Sequence, residues 1–103
     1  MNREKIREQE QYLYSLGTLT DKQKAKLEEL SLRRMIMSCL TYGNDIFTTK
    51  NINTCSEYYH RPYADEYIDI LGYEKVMEIY NDQKNILIQN AELRKMFIPI
   101  VRV

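Results

Sequence analysis

The sequence has little of what breaks a chain: three glycines and two prolines among 103 residues. A many-stranded sandwich needs frequent turns, so this scarcity argues against one and favours long elements. Composition argues against disorder. Hydrophobic residues make up 44% and charged residues 29%, whereas disordered chains are poor in apolar residues. Net charge is missing as well. Fifteen Lys and Arg balance fifteen Asp and Glu, without the positive excess usual in phosphate-backbone binders. The first fifty residues hold nine basic and seven acidic groups and the remainder six and eight, so neither a basic arm nor an acidic tail is present.

Cysteine and histidine are scarce in a way that restricts chemistry. Cys39 and Cys55 could form at most one bridge, and the opening Met1-Asn2-Arg3-Glu4-Lys5 is charged where a signal peptide would be apolar. Reduced thiols and a cytoplasmic setting are the expectation. The longest near-continuous apolar run, Met35 to Leu40, is interrupted by Ser38 and falls far short of the ~20 residues that span a bilayer. A structural zinc wants four ligands, but Cys39, Cys55 and His60 are the only Cys or His present. No metal and no cofactor are expected. There is no GxxxxGK[ST] or GxGxxG; Gly17, Gly43 and Gly72 are isolated and fall at expected helix ends.

What is present reads as one helical domain over residues 1–103, a length that suits a single core. The pattern predicts a first helix from about Arg3 to Leu16, with Ile6, Leu13 and Leu16 on one side and Gly17 as its stop. Thr20-Asp21-Lys22-Gln23 is a capping box that opens a second helix, running to about Tyr42. Along that helix Leu27, Leu30 and Met37 lie near one face, while Leu32, Met35, Ile36, Cys39 and Leu40 cover the other. A helix apolar on two sides belongs between neighbours. Residues 44–56 form an irregular middle loop: Ile46-Phe47-Thr48-Thr49 has strand propensity, Lys50-Asn51-Ile52-Asn53 looks like a turn, and Thr54-Cys55-Ser56-Glu57 could open a short helical turn. A third helix is expected from Pro62, at its first position, to Leu71, and a fourth from Tyr73, weakened at Asn81-Asp82 and ambiguous beyond Asn85. The last eight residues are expected to be extended. The fold expected is therefore mainly α: a compact bundle of about four helices with a short extended C-terminal tail. The alternative is α+β, with a small two-stranded sheet if the tail pairs with Ile46-Phe47.

Candidate chemistry is sparse. Cys55 and His60 suggest a nucleophilic dyad and hence a small Cys/His hydrolase. Five residues apart on a helix would separate them by about 140°, and no third orienting group is evident. Asp65, Glu66 and Asp69 could hold a divalent cation, with Asp65 and Asp69 one turn apart, but acids in a helix's first turn are ordinary for dipole reasons. The distinctive feature is tyrosine: nine in all, with Tyr58, Tyr59, Tyr63, Tyr67 and Tyr73 within sixteen residues. Tyrosine combines a large apolar body, a hydroxyl and few rotamers, which enriches it at interaction surfaces. Most of these rings are expected to pack as core, with one or two left as anchors. The candidate protein-binding residues are Tyr58, Tyr59, Arg61, Tyr63, Asp65, Glu66 and Tyr67. For nucleic acid the candidates are Arg33, Arg34, Lys50 and Arg61, opposed by the carboxylates nearby.

These observations favour a small non-enzymatic regulator or inhibitor acting on another protein, with a homo-oligomer possible and no membrane partner. A nucleic-acid-binding transcriptional regulator and the Cys/His hydrolase are the alternatives. Ile, Lys, Asn and Tyr supply 35 of the 103 residues. All four have AT-rich codons, so the skew suits an AT-rich bacterial or phage genome; a regulator carried by a phage or mobile element, such as an inhibitor of a host defence nuclease, would be one example of the class.

Overall fold

The computed structural model describes the backbone of residues 1–97 and the side chains of residues 1–90. Four helices account for most of it: α1 (Arg3–Ser15), α2 (Asp21–Thr41), α3 (Tyr63–Leu71) and α4 (Tyr73–Phe97). Each start has a local cause. The Asn2 side chain accepts the Lys5 amide at 2.9 Å and opens α1. At α2 the capping box closes in both directions, with Gln23 N donating to Thr20 Oγ1 at 3.2 Å and Thr20 N to Gln23 Oε1 at 2.9 Å. Between α3 and α4 there is a single residue, Gly72, at φ 87° and ψ 151°. Only glycine occupies that region without strain, so it alone permits so abrupt a change of direction.

α2 is the shared wall of the molecule. It packs against α1 on one side and against α3 and α4 on the other; α3 and α4 also pack together. The two apolar faces expected for α2 separate as the sequence indicated. Leu30 and Met37, flanked by Leu27, meet Ile6 and Leu13 of α1. Leu32, Ile36 and Cys39, flanked by Met35 and Leu40, meet Ala64 and Tyr67 of α3, Val76, Ile79 and Tyr80 of α4, and Ile46 from the loop. Burial holds the Cys39 thiol above its ordinary pKa, so it stays a packed, protonated side chain.

Several expectations need correction. Leu16 is the C-cap of α1 and is exposed, not part of the buried stripe. Pro62 is the N-cap of α3, so the helix begins at Tyr63, one residue later than expected. α4 runs unbroken through Asn81-Asp82 to Phe97. Asp82 and Gln83 are held there by Arg33 of α2, a tertiary tie that outweighs weak local propensity. Ile46–Thr49 is a turn and not a strand: the Asp45 carbonyl accepts the Thr48 and Thr49 amides, and its side chain accepts the Phe47 amide at 2.9 Å. Among the described residues the one β-type pairing is an isolated antiparallel bridge between Lys50 and Pro62. The fold is accordingly mainly α. Residues 96 and 97 belong to α4, and the rest of the expected extended tail, 98–103, lies outside the described residues. Among the described residues no helix is long and apolar enough to cross a membrane.

Candidate functional site

The segment between α2 and α3 is irregular but thoroughly hydrogen-bonded. Its root is in the core. Ile46 is fully buried, Phe47 meets Tyr80 edge-on with ring centroids 5.1 Å apart, and the Tyr80 hydroxyl donates to Asp45. Burial, reinforced by that carboxylate, pushes the Tyr80 phenol up to about 12.

Beyond this root, residues 51–61 form a loop closed at the neck. Asn51 N donates to the Arg61 carbonyl at 2.7 Å and His60 N to the Asn51 carbonyl at 2.8 Å. Tyr63 N then donates to Thr49 O at 3.1 Å and Ala64 N to Ile46 O at 2.9 Å, continuing the closure into α3. Inside the loop polar side chains hold the backbone in sequence. Asn51 Oδ1 accepts Asn53 N at 2.8 Å, Asn53 Oδ1 accepts Cys55 N at 3.0 Å, and Ser56 Oγ accepts Tyr58 N at 3.1 Å. These side-chain turns replace the short helical turn expected at Thr54–Glu57. His60 is the one non-glycine residue described at positive φ (66°), a conformation that costs about 1–2 kcal/mol. Its N–H donates to the Asn51 carbonyl and holds it there, while its ring leans on Tyr59, centroids 3.9 Å apart with the planes tilted by 43°.

The tyrosines divide by role. Tyr67 is only 6% exposed, and its hydroxyl shares a 2.9 Å hydrogen bond with Ser31 of α2. It belongs to the core, which withdraws it from the candidate binding residues. Tyr63 is half-buried against the same core. Tyr58 is half-buried, and its hydroxyl donates to Asp69 at 2.7 Å. That bond, above all, pushes its phenol up to about 12, so the ring stays neutral at physiological pH. Tyr59 is 43% exposed and Tyr73 59%. Arg61 is exposed at the loop neck, while Asp65 and Glu66 are half-buried on α3. Sequence reasoning missed Ile52, which is 73% exposed on the same loop. An apolar residue inside an otherwise polar turn was the signal available.

The nucleic-acid candidates fall in three places. Arg33 is engaged by Glu29, Asp82 and Gln83 in the α2–α4 interface. Arg34 pairs with Glu10 of α1 at 3.4 Å, and Lys50 and Arg61 lie together at the loop neck. Cys55 is exposed and the His60 ring is turned onto Tyr59; among the described residues no hydrogen bond joins the two. Among the described residues no group of three or more His, Cys, Asp or Glu is placed to hold a metal ion. Comparison with known proteins finds no family model that matches the chain and no curated protein or solved structure with a significant match.

Proposed function

We propose that this chain is a small non-enzymatic regulator that binds another protein through the 51–61 loop. The observation that carries this reading is a loop tied at both ends and along its length that nevertheless holds Ile52 and Tyr59 out in water. Binding residues are commonly carried on loops that a rigid scaffold positions, and tyrosine is enriched among interface anchors. Glu57 lies on the loop and Asp69 of α3 is bonded to its Tyr58, so a partner with a basic rim suits this face better than a phosphate backbone. A phage-encoded inhibitor of a host protein would be one example of this class; the AT-skewed composition bears on origin alone.

The test is affinity capture from host lysate with the wild-type chain and with an Ile52→Ser, Tyr59→Ser variant. Neither side chain belongs to the buried clusters, so the variant is expected to keep its helical circular dichroism and melting temperature. Loss of a specifically captured protein, with folding intact, is the expected outcome. Equal recovery by both chains would show that the docking surface lies elsewhere.

A further inference from the structure

On the opposite side of α2 from the loop-bearing core, α1 and α2 enclose an open groove of about 400 Å³. The groove is open along one side, so only one end of a ligand could be held there, and its position between two helices is one where ligand sites occur. Its lining is distinctive in charge. Arg3 and Arg7 sit one turn apart on α1, with Glu10 and Tyr14 continuing the same edge, and Arg34 and Ser38 face them from α2. Three guanidinium groups against one carboxylate leave a surplus of two positive charges in a chain whose net charge is zero. The carboxylate is already committed. Glu10 is buried and pairs with Arg34 at 3.4 Å, fixing that guanidinium beside the groove. Among the described residues no ion pair engages Arg3 or Arg7. Tyr14 adds an exposed ring and Ser38 a hydroxyl.

We propose that this groove binds a small phosphate monoester, with the phosphate held by Arg3, Arg7 and Arg34 and the organic part laid against Tyr14. A monoester dianion carries about −1.5 to −2 charge near neutral pH, which matches the local surplus. Guanidinium forks match phosphate oxygens in pairs, and an aromatic ring at one end favours an ester over the free ion. The site is independent of the loop surface: the two lie on different elements and share no residue.

The probes are inorganic phosphate, phenyl phosphate and phenol, titrated at constant ionic strength and followed by calorimetry and backbone amide shifts. Phenyl phosphate is expected to bind more tightly than inorganic phosphate, with phenol silent and the shifts centred on the α1–α2 groove. An Arg3→Gln, Arg7→Gln variant removes two exposed cations that no ion pair among the described residues engages, so its melting temperature without ligand stays near wild type. It is expected to lose about tenfold or more in affinity, the scale of one or two charged hydrogen bonds. Tyr14→Ser is expected to bring phenyl phosphate down to the level of inorganic phosphate. Three results would overturn the proposal: no saturable binding of either phosphate probe, binding that the double arginine variant leaves unchanged, or a single-stranded oligonucleotide that outcompetes phenyl phosphate with the steep salt dependence of a polymer contact.

Discussion

α2 divides the molecule into two unequal regions. On one side its Leu32, Ile36 and Cys39 are enclosed by α3, α4 and Ile46 from the loop, so buried side chains from four segments interlock. On the other, Leu30 and Met37 meet a single helix that contributes Ile6 and Leu13. Beyond those two side chains α1 is held by the Glu10–Arg34 pair and by Met1, whose amino group donates to Gln83 Oε1 at 2.8 Å while Gln83 Nε2 donates to the Met1 carbonyl at 3.1 Å. The same helix thus serves as the centre of a core and as a platform for an arm. Local stability follows the number of elements that close over a residue and not its hydrophobicity alone.

The comparison can be broken most forcefully by truncating one residue from each side. Ile36→Ala is expected to cost about 3–4 kcal/mol and to lower the urea midpoint of the whole helical signal. Leu13→Ala is expected to act locally, raising hydrogen-exchange rates for α1 amides while those of α4 remain protected. If α4 exchanges as fast as α1 in Leu13→Ala, the two regions form one cooperative unit and the division fails. A smaller effect is expected at the tie between them. Gln83 is fully buried and also accepts from Arg33 at 2.8 Å, so Gln83→Ala removes the acceptor of the Met1 amine and one of the three acceptors of Arg33, at a cost of about 1–3 kcal/mol. Exchange protection is then expected to fall at the start of α1 and in α4 together.

The smallest effect sharpens the α2–α3 contact. Burial, and then the charge of Glu66, hold the Glu28 carboxyl above its ordinary 4.5. A carboxyl raised in the folded state binds its proton more readily there than in the unfolded chain. Its ionised form therefore opposes folding above the folded pKa, and the cost disappears once the pH is below 4.5. Because Glu28 is only half-buried, solvent screening keeps the effect to about 0.5 kcal/mol. Glu28→Gln is expected to raise the urea midpoint slightly at neutral pH and not at all under acid conditions. An equal gain at both would assign the effect to packing.

Much of this architecture was legible in the sequence because its signals are local. The Thr20–Gln23 box, the glycine stops and the two-sided pattern of α2 depend on neighbours within a turn or two, and each appears where its spacing placed it. The failures share the opposite property. Tyr67 reads as an equivalent of Tyr63, but its partner Ser31 lies 36 residues away. The continuity of α4 depends on Arg33, 49 residues before Asp82. Ile46 and Phe47 have strand propensity, yet one is an anchor in the core and the other sits against Tyr80; burial overrode backbone preference. The candidate binding loop was recognised as irregular, and its tyrosines were noticed, but which ring faces water follows from closure at Asn51 and Arg61.

That closure also bears on kinetics. A segment already confined by hydrogen bonds between Asn51, Ser56, His60 and Arg61 has little freedom left to surrender when something lands on it. The cost of ordering the backbone, about 1–2 kcal/mol for each residue fixed, was met when the chain folded, which leaves only the exposed side chains to be ordered on contact. Encounter can then proceed as rigid-body docking without a slow rearrangement, and improvements in affinity at this surface would come from longer residence times rather than faster arrival.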